Sequence, residues 1–295
     1  MSASAPSLYV ERSGPLQRFW GLFRQAWVAG YEDNCFGIAK GVAYSGLLAF
    51  FPVLASIASI LAKVNAESVA HVFSRFLFEV VPPGSEELVS SQFAVKGQRP
   101  VWLILLAAAF SVWAATGAIV SLMEGYAAAY RLPSGRSFLK ERAVAILLVF
   151  TAALPAIGSS ALILFGSRSE SFMLGWFGVS PDIDIKVWVS LLGSLLRYVV
   201  ALGATVLVTA MVYCVAPNRP LKLRAVFPGA FVATFLWLLV TSGFAWYVRN
   251  IANYSVLYGS IGAVIALLVW MYLGAVISLI GCEYNAVRER LACEF

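Results

Sequence analysis

The chain has 295 residues, of which 61% are hydrophobic and only 12% are charged. Soluble domains carry about 25% charged residues, so this composition excludes an ordinary water-soluble enzyme or binding domain of this length. The formal net charge of +6 is spread over several loops instead of forming one basic patch, and it therefore does not predict nucleic-acid binding.

The first predicted element is an amphipathic helix over residues 15–29. Its apolar side chains recur at helical spacing: Leu16, Phe19, Trp20, Phe23 and Trp27. This pattern is typical of a helix that lies in the cytoplasmic membrane interface with its aromatic side toward lipid, and it fits a helix packed on the protein's own loops equally well. Asp33 or Asn34 is then expected to cap the first membrane span.

Six apolar windows follow, each long enough to cross the hydrocarbon core as a helix. They cover about 37–62, 101–123, 143–165, 187–212, 225–248 and 257–281. The sequence therefore predicts an all-α integral membrane protein with six transmembrane helices. A cytoplasmic amphipathic segment (1–36) precedes the membrane domain (37–281), and a cytoplasmic tail (282–295) follows it.

The distribution of lysine and arginine predicts the orientation. Loops 124–142 and 213–224 hold seven of these residues, whereas loops 166–186 and 249–256 hold three. By the positive-inside rule, the first pair of loops and both termini are cytoplasmic. All four cysteines then lie at or near the cytoplasmic face, where thiols stay reduced, so no disulfide is expected.

The segment 63–99 is predicted to lie outside and to contain a short apolar helix that ends before Pro82. This helix would act as a lid over the membrane mouth or would simply pack there. The single histidine, His71, lies on it and is interpreted as structural. No metal site and no cofactor are expected, because no cluster of histidine, cysteine or carboxylate residues has ligand spacing.

The first span contains two residues that are unusual in lipid. Lys40 lies near the cytoplasmic end, where its ammonium group can extend to the interface or can serve a substrate. Pro52 lies deeper and removes a backbone donor, which is tolerated where another helix or a wet cavity supplies one. We therefore expect this helix to be kinked and to face the protein interior.

A ridge of small residues recurs every four positions on the same helix, at Gly37, Gly41, Ser45 and Ala49. Such a ridge lets a second helix approach closely, so we interpret these four residues as packing residues. Tyr44 adjoins the ridge, and its hydroxyl group needs a partner or water.

Three further charged residues are candidates for a substrate pathway. Arg197 lies near the middle of the fourth predicted span, roughly 15 Å from either boundary, and its guanidinium remains charged there. Glu124 ends the second span and Glu283 ends the sixth. With Lys40 they form a potential cluster near the inner face, where a lysine–glutamate pair would lower the cost of burial; three unrelated interfacial charges are the alternative.

Three long segments resemble the YihY/BrkB family of membrane proteins, which is often labelled ribonuclease BN-like. They are YEDNCFGIAKGVAYSGLLAFFPVL (31–54), GYAAAYRLPSGRSFLKERAVAILL (125–148) and the stretch 216–290, which includes Pro228-Gly-Ala230 and Glu283-Tyr-Asn285. The resemblance implies six helices with both termini inside and adds Asn285 to the candidate site residues. It implies an association with virulence and suspected lipid or solute transport across the inner membrane, without an assigned activity.

The residues do not support the ribonuclease label. RNA hydrolysis needs clustered carboxylates or histidines around a metal, or a general acid–base pair, and the sequence shows no such motif. We therefore expect no enzyme. The expected function is a transporter, exporter or flippase for a lipid or another amphiphilic anion, which uses a cavity between kinked helices.

Two alternatives remain open: a proton- or sodium-coupled solute transporter, and a membrane scaffold or assembly factor that transports nothing. The expected partners are membrane lipids and a lipid or solute substrate. Self-association into a homo-oligomer is left open.

Overall fold

The computed structural model describes residues 14–63, 101–133, 136–153, 183–219, 221–250 and 260–293. Within these ranges the regular secondary structure is entirely helical. The helices are α1 (Pro15–Glu32), α2 (Cys35–Lys63), α3 (Val101–Ala129), α4 (138–153), α5 (Ile183–Val215), α6 (Leu223–Asn250) and α7 (Ser260–Cys293).

Five of these helices are long and apolar enough to cross a bilayer. The candidate spans are Cys35–Ile60, Leu105–Ala129, Tyr198–Val215, Leu223–Asn250 and Ile261–Cys293. The expectation of an all-α integral membrane protein is therefore confirmed. The third predicted span, about 143–165, begins in α4, and its residues 154–165 lie outside the described part of the chain, as does the predicted outer segment with His71.

Helix α7 occupies the centre of the arrangement, in contact with α1, α2, α3 and α6. Its residues Leu279, Ile280 and Cys282 are almost fully buried in the main apolar cluster. This position explains a difference from the expected boundary at residue 281. The helix continues to Cys293, and residues 282–287 remain buried because other helices pack around them.

Small residues bring α2 and α3 into close contact. A Cβ atom on Gly41 would lie 3.9 Å from the Ser121 hydroxyl oxygen, and one on Gly117 would lie 3.7 Å from Cβ of Ser45. Ala49 is buried on the same face. Gly37 differs, because a Cβ there would collide with the side chain of Asn34, which begins the helix. Gly37 therefore leaves room for the start of α2 and not for a neighbouring helix.

The crossing of α6 and α7 is tighter still. A Cβ on Gly229 would overlap the carbonyl oxygen of Gly281, and a Cβ on Gly281 would lie 2.6 Å from Cβ of Ala233. Only glycine fits at such a backbone contact, as is common where membrane helices cross. The glycine after Pro228 is therefore required by the packing.

Helix α1 presents three different faces. Leu22, Ala26 and Ala29 are buried in a cluster with Tyr284 and Val287 of α7. A second stripe, about 80° wide at 3.6 residues per turn, is exposed and mostly aromatic: Leu16, Trp20, Arg24, Trp27 and Tyr31. The remaining face is polar. The helix thus packs against α7 and also exposes aromatic side chains, and its placement in the membrane interface stays a prediction.

Candidate functional site

Glu283 is the most deeply buried ionisable residue among the sequence-based candidates whose side chains the structure describes. Its side chain is 0% exposed and lies on α7. Its carboxylate accepts a hydrogen bond from Arg290, whose Nη2 lies 3.4 Å from Oε2, and the Cys35 thiol lies 3.8 Å from Oε1. Both contacts are long, so they offset only part of the cost of burying a carboxylate.

A second carboxyl group lies beside Glu283. Asp33 occupies the short turn between α1 and α2, close enough to Glu283 for the two side chains to interact electrostatically. Its Oδ2 is buried and accepts no hydrogen bond from the described residues. Like charges repel, so the carboxylate of Asp33 adds to the electrostatic cost of burying Glu283.

Lys40 and Glu124 do not join this group. Both side chains are exposed, and among the described residues the ion-pair partner of Glu283 is Arg290 instead of Lys40. The expected cluster of Lys40, Glu124 and Glu283 is therefore not assembled. Tyr44 is likewise 63% exposed and points away from the packed interior.

Pro52 lies inside α2, which continues without interruption to Lys63. One turn later, Ser56 donates a hydrogen bond of 2.8 Å to the Pro52 carbonyl oxygen, and its hydroxyl lies 3.0 Å from the hydroxyl of Ser111 on α3. Both serines are buried. Hydroxyl groups thus provide a polar link between α2 and α3 just beyond the proline.

Asn285 holds α7 against α6. Its Oδ1 accepts a hydrogen bond of 2.7 Å from the Gly229 N–H, and its Nδ2 donates one of 2.8 Å to the Val226 carbonyl. The amide has both a donor and an acceptor, which is the chemistry that this pair of backbone groups needs. The structure therefore places Asn285 in a helix–helix contact and not in an open cavity.

A pair of buried tyrosines meets α7 at Ser278, about two turns before this contact. The hydroxyl of Tyr126 lies 2.6 Å from the hydroxyl of Ser278, and Tyr213 donates a hydrogen bond of 2.6 Å to the Ser278 carbonyl. Their rings are edge to face, with centroids 5.3 Å apart. These contacts join α3, α5 and α7 through polar groups that are fully paired.

Arg142 was expected in the cytoplasmic loop 124–142, but the structure places it in a helix. It lies in α4 and donates a hydrogen bond of 2.8 Å to the Thr116 hydroxyl, which is close to the middle of the candidate span Leu105–Ala129. Its guanidinium carbon lies 4.6 Å from the ring centroid of Trp113 and 5.6 Å from that of Phe138. Within the described part of the chain, no carboxylate pairs with it.

The surroundings of Arg142 are apolar and open. The side chains of Trp113 and Phe138 are more than half exposed, and so are those of the neighbouring Leu139 and Leu147. In a membrane protein such a surface faces lipid or an unfilled groove. Among the described residues, the Arg142 guanidinium contacts one hydroxyl group and two aromatic faces, so several of its five N–H donors have no partner there and could bind an anionic ligand.

Arg197, the strongest candidate from the sequence, lies in the first half of α5. Its side chain is outside the described part of the structure. The candidate span in this helix is Tyr198–Val215, which begins directly after it. The role of Arg197 therefore stays a prediction.

Two open cavities lie near the end of α3, one beside the end of α5 and one beside the end of α7. The first has a volume of about 330 Å³ and is lined by Glu124, Arg136, Glu141 and Asn218, among others. Arg136 donates hydrogen bonds to the carbonyls of Val215, Ala216 and Pro217. It thereby pairs with backbone carbonyl groups that have no hydrogen-bond partner within α5. Arg136 therefore stabilises the C-terminal end of this helix.

The second cavity, of about 350 Å³, lies between the ends of α3 and α7. Its polar wall consists of Tyr130, Arg131, Arg219, Glu289 and Arg290. Arg219 pairs with Glu289 at 2.7 Å. Burial raises the pKa of the Tyr130 hydroxyl above its usual range, so it remains a neutral donor at physiological pH.

The signal for Arg142 was present in the sequence but was ambiguous. Arg142 lies one residue before the predicted span that begins at 143. Only the structure, in which α4 begins at Phe138, shows that Arg142 belongs to a helix in contact with α3. The basic cavity was not detectable, because Arg131, Arg219 and Arg290 are far apart along the chain.

Comparison with known proteins gives one family and several relatives. Residues 27–293 match the family described as Virulence factor BrkB. The chain is 29% identical over 252 residues to a protein of Bacillus subtilis named putative ribonuclease-like protein YfkH, covering 84% of this chain and 88% of that one. It is 28% identical over 265 residues to a UPF0761 membrane protein of Alteromonas mediterranea, covering 86% and 83%. No solved structure matches.

Proposed function

The chain belongs to the Virulence factor BrkB family of multi-pass membrane proteins, and from this premise we propose that it transports an amphiphilic anion, such as a phospholipid, across the bacterial inner membrane. The observation that supports this most strongly is the guanidinium of Arg142. It lies beside the middle of the α3 span and has aromatic neighbours instead of a carboxylate partner.

A charge at this depth is expensive, because lipid offers it no water. A protein that served only as a scaffold would gain from replacing such a residue by an apolar one. Guanidinium matches phosphate geometry with two parallel hydrogen bonds, so an arginine that faces lipid suits a phosphate-bearing substrate. Arg197, which lies on α5, is proposed to serve the same transport pathway.

The proposal is not enzymatic. Among the described residues, no group of three or more histidine, cysteine or carboxylate side chains is arranged to hold a metal ion. The word ribonuclease stands in the name of the Bacillus relative and describes that protein. The cargo is expected to leave chemically unchanged.

The test measures movement of a fluorescent phosphatidylglycerol across proteoliposomes that contain the purified protein. Arg142→Gln is expected to slow this movement at least about tenfold, which corresponds to the loss of one charge-assisted contact. Arg142→Lys keeps the charge but loses the paired donors, and it should be intermediate.

Arg224→Gln is the matched control, because Arg224 is exposed at the start of α6. Equal folded yield of all variants, measured by gel filtration, separates loss of transport from loss of fold. A wild-type protein that moves no lipid, or an Arg142→Gln variant as fast as the control, would contradict the proposal.

A second candidate, proton-coupled transport, is favoured by a separate observation: the fully buried Glu283 and the unsatisfied oxygen of Asp33 beside it. Buried carboxyl groups within membrane helices are the residues that form proton relays in pumps and transporters. In the same proteoliposomes, an imposed pH gradient should then change the rate of transport, and Glu283→Gln should remove this response. Glu32→Gln, an exposed change in α1, should keep it. Indifference of the wild-type protein to the gradient would eliminate this candidate.

A further inference from the structure

We propose that the basic cavity between the ends of α3 and α7 is a phosphate-binding site. Three guanidinium groups, of Arg131, Arg219 and Arg290, line it together with a single carboxylate, of Glu289. This inference goes beyond the proposed transport function, because it concerns only the binding of a phosphate group. The site would bind phosphate whether or not the protein carries that ligand across the membrane.

The charges in this cavity do not cancel. Glu289 pairs with Arg219 at 2.7 Å, and Arg290 makes a longer contact of 3.4 Å with Glu283, which is buried behind it. Arg131 has no ion pair with the described carboxylates, and its side chain is exposed. Counted over the described residues, the cavity therefore presents an excess of positive charge and several N–H donors without a partner.

The backbone of Arg131 is an independent sign that its side chain is needed. Helix α3 ends in two closing hydrogen bonds, from Arg131 N to Ala128 O at 2.8 Å and from Leu132 N to Ala127 O at 2.9 Å. This motif needs a left-handed residue at position 131, and Arg131 has φ of 52°. Glycine is the usual residue there, because it adopts this conformation without strain.

Compensation of helix dipoles is the competing explanation, since arginines near helix ends interact with the free carbonyl groups. Arg136 is an example of this interaction, because it donates three hydrogen bonds to carbonyl groups at the end of α5. Arg131, Arg219 and Arg290 make no such contacts with described carbonyl groups; they face the cavity instead.

The dimensions suit a phosphate with an organic substituent. A volume of about 350 Å³ lies at the lower end of the range for small-molecule sites. The neutral hydroxyl of Tyr130 adds a donor at the wall. Phospholipid headgroups and soluble phosphate esters share this chemistry, so the site is defined by the phosphate group.

The experiment titrates the purified protein, in neutral detergent, with three probes: inorganic phosphate, glycerol 3-phosphate and short-chain phosphatidylglycerol. Calorimetry is expected to show saturable binding of at least one probe. Arg131→Gly should weaken that binding by about fivefold or more. The thermal midpoint of this variant should equal that of the wild type or rise, because glycine removes the strain of a side chain in the left-handed region. Arg290→Gln, in the same cavity, should also weaken it.

Arg288→Gln is the matched control, since Arg288 is exposed on α7 but does not line the cavity. Binding of glycerol 3-phosphate or phosphate would identify a soluble ligand, and binding of phosphatidylglycerol alone would identify a lipid headgroup. Both outcomes support the site. No saturable binding of any probe, or an equal loss in Arg131→Gly and Arg288→Gln, would overturn it. Because no flux is measured, failure of the transport proposal leaves this result unaffected.

Discussion

At the scale of single residues, burial separates polar groups that looked alike in the sequence. Lys40, Glu124 and Glu283 all end or begin a predicted span, yet only Glu283 is buried, and its partner is Arg290. Arg290 lies seven residues away on the same helix, so it is available only because α7 continues beyond the predicted boundary. The residue at which a helix ends therefore decides which charged side chains can form an ion pair.

Asn285 shows how a polar residue can serve packing. Replacing it with alanine removes both hydrogen bonds to the α6 backbone, from Gly229 and to Val226. Loss of such buried contacts costs about 1–3 kcal/mol, so we expect Asn285→Ala to lower the thermal midpoint in detergent by several degrees.

Asn250→Ala is the control for this change. Asn250 is exposed, and its one side-chain hydrogen bond to a described residue joins it to Trp246 of its own helix, at 2.8 Å, so its replacement should be nearly neutral. If both variants melt at the same temperature, the contact between Asn285 and α6 does not hold the helices together.

At the scale of helices, the closest contacts follow small residues. The ridge of Gly41, Ser45 and Ala49 faces α3, as expected for packing residues, whereas Gly37 makes room for the Asn34 side chain. The tightest crossing lies elsewhere, between Gly229 and Gly281. Spacing along one helix shows which residues share a face, but it does not show which face meets a partner, and this explains the difference.

Helix α1 illustrates the same point. Five apolar residues at helical spacing predicted one apolar face. In the structure Phe19 and Phe23 turn toward α7, with the ring of Phe19 6.0 Å from that of Tyr284, while Trp20 is 66% exposed. Trp and Tyr side chains prefer the membrane interface, so the exposed stripe fits a helix that lies between protein, lipid and water.

At the scale of the whole molecule, the orientation in the membrane is a prediction from charge alone. The four cysteines offer a direct test. Cys35 and Cys282 are buried, Cys214 is half-buried and Cys293 is exposed at the end of α7. A membrane-impermeant maleimide should therefore label Cys293 readily in inverted vesicles and should leave it unlabelled in spheroplasts, because the C-terminus is expected inside.

Cys293→Ser identifies the labelled site and should abolish most of the signal. Cys35→Ser is the comparison, since loss of a buried thiol should change the labelling little. Labelling of Cys293 in intact spheroplasts would reverse the predicted orientation, and with it the prediction that loops 124–142 and 213–224 are cytoplasmic.

The sequence by itself determined that this chain is an all-α membrane protein, because long apolar segments can be stable only in lipid and only as helices with internally paired backbones. It also determined the family, through segments that keep their order along the chain. The tertiary structure alone decided where the charges meet: Arg142 beside Thr116, Glu283 beside Asp33, and three distant arginines around one cavity. Hydropathy is a local property of the chain, whereas a binding site depends on which helices cross and at what register.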